Sequence, residues 1–136
     1  MTHPILALQS TLVPALNADA ALMALLGAGD VFDAPPRDRH PPYVVIARHD
    51  VLARDGDLAP GHEHRLLLHA WAAAPSRKAV LAIAERVVAV ALAAGLDSAE
   101  RRVTHRRHQR TDTAIDPATG FARAAVTLVM FSEPAS

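Results

Sequence analysis

Residues 63–95 read EHRLLLHAWAAAPSRKAVLAIAERVVAVALAAG. The stretch from Glu63 to Ala72 predicts a β-strand, and the residues after Pro75 predict the clearest helix in the chain. Ser76 is a suitable N-cap, apolar residues then recur with the 3.6-residue period of a helix, and Gly95 is expected to end it. A helix with one apolar face has to bury that face, so this order predicts a helix packed on a sheet.

Further segments have the composition of strands. Tyr43 to Arg48 begins with four consecutive β-forming residues. The segments from Arg101 to about Thr113 and from Phe121 to Phe131 flank the turn sequence Asp116-Pro117-Ala118-Thr119-Gly120, which predicts a hairpin. Residues 124–131 are largely apolar on both faces of an extended chain, which indicates a central strand or one covered by a neighbouring subunit.

The N-terminal third predicts two helices. Apolar residues recur at helical spacing from Ile5 to Leu16, and Pro14 is expected to kink or shorten this helix. Asp19 can cap a second, short helix from Ala20 to Leu26, which Gly27 would end.

Val31-Phe32 predicts a brief strand, and the polar residues from Val51 to His62 predict a long hairpin tip suited to contact with another protein. The expected fold class is α+β, with an antiparallel or mixed sheet of about four strands packed against one long helix. N-terminal helices and a long β-hairpin loop complete it. A chain of 136 residues fits a single domain, residues 1–136.

The amino-acid composition excludes several classes of function. Fourteen basic and fourteen acidic side chains give a formal net charge of zero, so no global field attracts the chain to nucleic acid or to an anionic membrane. The absence of cysteine excludes disulfides, thiolate metal sites and cysteine nucleophiles. The N-terminus lacks the pattern of a signal peptide, and charges interrupt every apolar stretch, so we expect cytoplasmic residence without a membrane span.

Several segments, taken in order and spacing, resemble one known family over nearly the whole chain. They are the helical region from Leu6-Ala7-Leu8 to Leu25-Leu26-Gly27, Val31-Phe32-Asp33-Ala34-Pro35, Pro42-Tyr43-Val44-Val45-Ile46, His64 to Trp71 leading into the helix, and a last strand like Ala124 to Phe131. In this the chain is similar to the tail-terminator, or tail-completion, proteins of long-tailed phages and gene transfer agents, once known only as a domain of unknown function.

The resemblance implies a structural virion protein with no catalytic residues and no cofactor. Six copies would form a ring that caps the tail tube, stops its polymerisation and joins it to the head-neck connector. The implied partners are further copies of the chain, the tail tube protein, the connector or stopper protein, and DNA that passes through the ring without sequence-specific binding. Assembly would take place in the cytoplasm, and the protein would remain at the neck or tail of the particle.

The most basic stretch runs from Arg101 to Arg110. Strict strand alternation would place Arg102, Arg106, His108 and Arg110 on one face and Arg101, His105 and Arg107 on the other. One interpretation is a small nucleic-acid-binding module that uses this strand. We favour salt bridges between subunits, with Asp50, Asp55, Asp57 or Glu63 of a neighbour, because no aromatic residues for base stacking lie nearby. The candidate interface residues are Asp50, Arg54, Asp55, Asp57, His62, Arg102, Arg106 and Arg110.

Eight histidines raise the question of a metal site. His62 and His64 should lie on the same side of their strand, with His69 on the other. Two ligands are too few for catalytic zinc, which usually has three protein ligands, so we expect no metal. No set of nucleophile, base and oxyanion donors converges in the sequence either, which makes an enzyme the least favoured interpretation. Trp71 is expected in the core or at the edge of an interface.

Overall fold

The computed structural model describes residues 2–27, 30–54 and 60–135. Its elements are α1 (Pro4–Asn17), α2 (Ala20–Leu26), β1 (Val31–Phe32), β2 (Tyr43–Ala53), β3 (His62–Ala72), α3 (Arg77–Ala93), β4 (Arg101–Ile115) and β5 (Ala122–Pro134). The five strands form one sheet in the order β1-β2-β3-β5-β4. The β1–β2 pair is parallel and the other pairs are antiparallel, which confirms the expected α+β class with a mixed sheet.

The hydrophobic core lies between the helices and one face of the sheet. Alternate residues of β3 and β5, such as Leu66, Leu68, Val126 and Leu128, point into it and are almost fully buried. We call the opposite side of the sheet, which carries Leu67 and its cross-strand neighbours, the open face. Strand β5 lies between β3 and β4, so the prediction of a central final strand is confirmed.

Helix α1 continues to Asn17, so Pro14 does not shorten it, which was one of the two effects expected of this residue. Pro14 is exposed, so its ring displaces no core side chain, and its carbonyl oxygen accepts a hydrogen bond from the Ala18 amide at 2.9 Å. Helices α1 and α2 meet at a bend of 74°. Among the described residues no single helix is long and apolar enough to cross a membrane, and only this bent pair together has that length and composition.

Asp19 joins α2 to α3. As predicted it is the N-cap of α2, where its carboxylate accepts the Leu22 amide at 2.9 Å, and it also receives two hydrogen bonds of 2.7 Å from the Arg86 guanidinium. The hydrogen bond from Arg86 is the main reason that the pKa of Asp19 falls to about 2. A carboxyl group with a lowered pKa in the folded state adds stability above pH 4, and this contribution is lost as the pH falls towards 2.

We therefore expect Asp19→Ala to lower the Tm at pH 7 by roughly 3 °C or more, since the helix cap and the ion pair are lost together. Thermal unfolding followed by circular dichroism measures this. Asp33→Ala, at an exposed aspartate, is the matched control and should leave the Tm within about 1 °C. An equal fall in both variants would contradict the linking role of Asp19.

The hairpin between β2 and β3 is longer, and its tip shorter, than the sequence predicts. Strand β2 continues past Arg48 to Ala53, which pairs with His62, and the Arg54 amide then donates to the Gly61 carbonyl oxygen at 2.8 Å. The charged residues Arg48 and Asp50 are tolerated in this part of β2 because they lie on the open side of a strand at the edge of the sheet. Residues 55–59 lie outside the described part of the chain.

Candidate functional site

Two irregularities in β4 redistribute its basic side chains. The pairing with β5 shifts between Val103 and His105 and again between His108 and Arg110, as β-bulges do. Strict alternation therefore fails, and the predicted division of the basic residues into two faces is wrong. Since directly paired residues share a face, Arg101, Arg106 and His108 lie on the helix side of the sheet, whereas Arg102, His105, Arg107 and Arg110 lie on the open face.

Most arginines of β4 already have partners within the subunit. Arg101 is buried and donates to Ser132 Oγ at 3.1 Å, while Arg102 pairs with Glu133 at 2.8 Å. Arg106 donates to the carbonyl oxygens of Ala91 and Ala94 at the C-terminal end of α3, where a positive charge is favourable. These guanidinium groups stabilise the subunit, which leaves fewer of them for phosphate than the sequence suggests.

The exposed middle of β4, residues 107–110, makes weaker contacts within the subunit. Arg110 lies 3.3 Å from Asp112 in an exposed ion pair, and such pairs contribute little to stability. Arg107 makes no hydrogen bond or ion pair with any described residue. A nucleic-acid-binding strand needs several free cations in a row, so the geometry favours contacts between proteins over phosphate binding.

The remaining predicted interface residues lie at or near the β2–β3 hairpin. Arg48 contacts Asp50 at 2.8 Å, and Arg54 lies 3.5 Å from Glu63. His62, at the start of β3, receives a 2.8 Å hydrogen bond from Arg101. Asp55 and Asp57 lie outside the described residues.

The structure thus brings the predicted residues together at two separate edges of the sheet. Strand β2 is separated from β4 by β3 and β5, a distance of about 14 Å at three strand spacings. Asp50 and the open-face arginines of β4 therefore cannot pair within one subunit. Any salt bridge between these two groups has to join different subunits.

A chain of polar groups crosses the core, and sequence reasoning missed it. Gln9 of α1 contacts His49 Nδ1 at 3.1 Å, His49 Nε2 contacts His64 Nδ1 at 2.9 Å, and His64 Nε2 contacts Ser132 Oγ at 2.7 Å. With both imidazoles neutral, each can donate one hydrogen bond and accept one along this chain. This row of hydrogen bonds therefore satisfies the buried polar groups and links α1 to the sheet.

Both buried histidines, His49 and His64, favour the neutral form. The pKa of His64 is lowered to about 3, mainly because the side chain is buried and in part because charge on His49 or Arg101 disfavours a second positive charge beside it. Burial likewise lowers the pKa of His49 to about 4. His69 lies on the other side of β3 from His64, as predicted, and no group of three or more potential metal ligands occurs within the described ranges.

The open face combines apolar side chains with charges that largely pair among themselves. Trp71 lies there half-buried, 6.4 Å from the His69 ring, so it is part of a surface and not of the main core. Glu63 receives a 2.7 Å hydrogen bond from Arg65, which lowers its pKa. Arg123, paired with Trp71 in register, has a buried Nε without a hydrogen-bond partner.

Comparisons with known proteins identify the family and the fold. Residues 10–131 match the family described as tail completion protein gp17. A chain in the structure titled "Virion of native gene transfer agent (GTA) particle" has a TM-score of 0.83 and 24% sequence identity, with 97% of this chain and 99% of that chain covered.

The gp17 protein of bacteriophage SPP1 has a TM-score of 0.60 and 18% identity, with coverage of 91% and 87%. These two likenesses concern the fold, and no curated protein matches the sequence. The family match extends over most of the chain. The chain therefore belongs to the tail completion protein gp17 family, and it is a structural tail protein, not an enzyme.

Proposed function

We propose that this protein is a tail terminator, a single-domain subunit of a hexameric ring that caps the tail tube and joins it to the head-neck connector. The observation that carries the proposal is the pair of unsatisfied sheet edges. Within the described residues, β4 has a strand partner on one side only, and β2 has no second partner beyond Val45. Long unpaired edges are hazards in a monomer, and contact with another copy removes them.

A ring suits these edges better than a symmetric dimer does. The two edges differ in sequence and in neighbouring helices, so a contact between them joins different patches of two copies. Contacts of this heterologous kind generate closed rings when the rotation closes. The number six comes from the family resemblance.

The proposal extends to the predicted interface residues, which would lie at the contacts between subunits. Asp50, Arg54 and His62 would act from the hairpin end, and Arg102, Arg106 and Arg110 from β4, with Asp55 and Asp57 in the tip. Arg106 would contribute by holding the end of α3 against β4. DNA would pass through the ring without sequence-specific contacts, because most of the basic groups on β4 are already paired.

The hairpin tip tests the joining role. Replacing residues 55–60 by Asn-Gly keeps the Arg54–Gly61 hydrogen bond and allows a two-residue turn. We expect a folded subunit with an unchanged circular dichroism spectrum and at least a tenfold loss of infectious or transducing particles, with tails and heads that remain separate in electron micrographs.

The matched control replaces residues 117–119 of the β4–β5 turn by Asn-Gly, at the opposite end of the hairpin ladder. It should leave particle yield within about twofold. Normal particle yield after the change in the β2–β3 tip would refute the joining role of the tip. Absence of the protein from purified necks would refute the tail-terminator proposal as a whole.

A further inference from the structure

Helix α3 has a partly exposed apolar stripe beside β4. Leu81, Val88 and Leu92 recur at helical spacing on one side of the helix, away from the buried residues Val80 and Val87. Leu81 is 41% exposed and Leu92 is 39% exposed. The stripe borders an open groove, the α3–β4 groove, which is lined by Leu81, Ala84, Glu85, Val88, His108 and Thr111.

The groove lies directly beside an unpaired strand edge. The outer side of β4 offers backbone amide and carbonyl groups, and α3 supplies an apolar wall next to them. A strand that is added to β4 would gain hydrogen bonds from the edge and would bury side chains in the groove. The surface is therefore shaped for an extended segment and not for a small ligand.

We propose that this surface binds the free edge of β2 from a second copy, so that the sheet continues from subunit to subunit. The inference rests on the proposed ring and specifies its interface. Strand order explains why β2 fits. Because β2–β3, β3–β5 and β5–β4 are all antiparallel, β2 and β4 run in opposite directions. A rotation that preserves strand direction therefore brings β2 of one copy antiparallel to β4 of the next.

The two edges also lie at the same level along the strand direction. Following the register across the sheet, Ile46 is level with Thr111, and Ala53 is level with Val103. The unpaired part of β2 is thus level with the part of β4 that borders the groove. β1 ends just before this part, because it pairs only with Val44 and Val45.

Charge favours this pairing over a symmetric one. Asp50 and Arg107 lie at the same level and on the same open face, at opposite edges of the sheet. Arg107 has no partner among the described residues, so the carboxylate of a neighbouring Asp50 would supply one. Pairing β4 with a second β4 would instead bring together two strands with five arginines each against one aspartate, which is unfavourable.

The absence of cysteine makes a disulfide test direct. Asp50→Cys/Arg107→Cys cannot close within a subunit, since its two sites are about 14 Å apart. Oxidation of the assembled variant should give a ladder of covalent oligomers, at least tenfold more than either single-cysteine variant. Asp50→Cys/His105→Cys tests an alternative register in which β4 is shifted by two residues relative to β2 of the neighbouring copy.

A second pair of variants tests the groove. Leu81→Glu should raise the concentration for half-assembly roughly tenfold or more, because it places a charge in a buried contact. Leu25→Glu changes a similarly exposed leucine, 43% exposed on α2, and should raise it less than threefold. Circular dichroism should show that both variants fold.

The outcomes separate this interface from the ring itself. Oligomers that assemble but give no ladder with either double variant would overturn the β2–β4 contact and leave the tail role intact. Efficient dimers from Arg107→Cys alone would overturn it in favour of a symmetric contact, and so would equal effects of Leu81→Glu and Leu25→Glu. A chain that stays monomeric even with tail tubes present would overturn the ring and the interface together.

Discussion

Acid is expected to destabilise this protein well above the pH at which carboxylates titrate. The folded state keeps His49 and His64 neutral, with pKa values of about 4 and 3, whereas the unfolded chain takes up protons near pH 6.5. The unfolded state thus binds more protons as the pH falls below 6.5, and stability falls with it. At pH 4 the loss from His64 amounts to at most about 3 kcal/mol, a large share of a typical domain stability.

Urea unfolding at pH 7.5, 6, 5 and 4 measures this effect. His64→Gln should reduce stability at pH 7.5, because Ser132 and His49 lose a fitted partner, yet its stability should decline less between pH 6.5 and pH 4. His105→Gln, at an exposed histidine of β4, should retain the wild-type pH dependence. An identical pH dependence of stability in wild type and His64→Gln would show that the buried histidines do not determine the sensitivity of the fold to acid.

Truncation of Leu12 is the other change with a large expected effect. Leu12 is fully buried between α1 and the sheet, so Leu12→Ala leaves a cavity and should cost about 2–5 kcal/mol of unfolding free energy. Leu6→Ala makes the same chemical change in the same helix at a residue that is 58% exposed, and it should cost less than about 1 kcal/mol.

Equilibrium denaturation with two probes, circular dichroism and Trp71 fluorescence, compares the two variants. If α1 docks as described, only Leu12→Ala shifts the midpoint substantially. Equal shifts would mean that α1 is stabilised by its own helical propensity and not by packing.

Local patterns predicted most of the elements. Ser76 and Asp19 cap helices as expected, and the hairpin of β4 and β5 has its turn at residues 116–120, because these signals act within a few residues of the chain. The full length of β2 escaped prediction because its second half lies at an edge, where polar residues are tolerated.

The buried histidine chain shows where sequence reasoning ends. Alternation from Val44 and Ile46 would place Arg48 inward and His49 outward. The shift in pairing between Ile46 and Arg48 instead turns His49 towards the core. No local sequence pattern predicts this bulge. The second bulge of β4 likewise places Arg106 and Arg110 on different faces, so a count of basic residues overstated the surface available for nucleic acid.

In the proposed ring, the dissimilar edges of the sheet would make subunit addition directional. A variant with an intact β4 edge but a blocked β2 edge would still join a growing assembly, and then no further copy could attach through it. A small fraction of such blocked subunits, co-expressed with the wild type, would act as a dominant negative and suppress particle yield far out of proportion to its abundance.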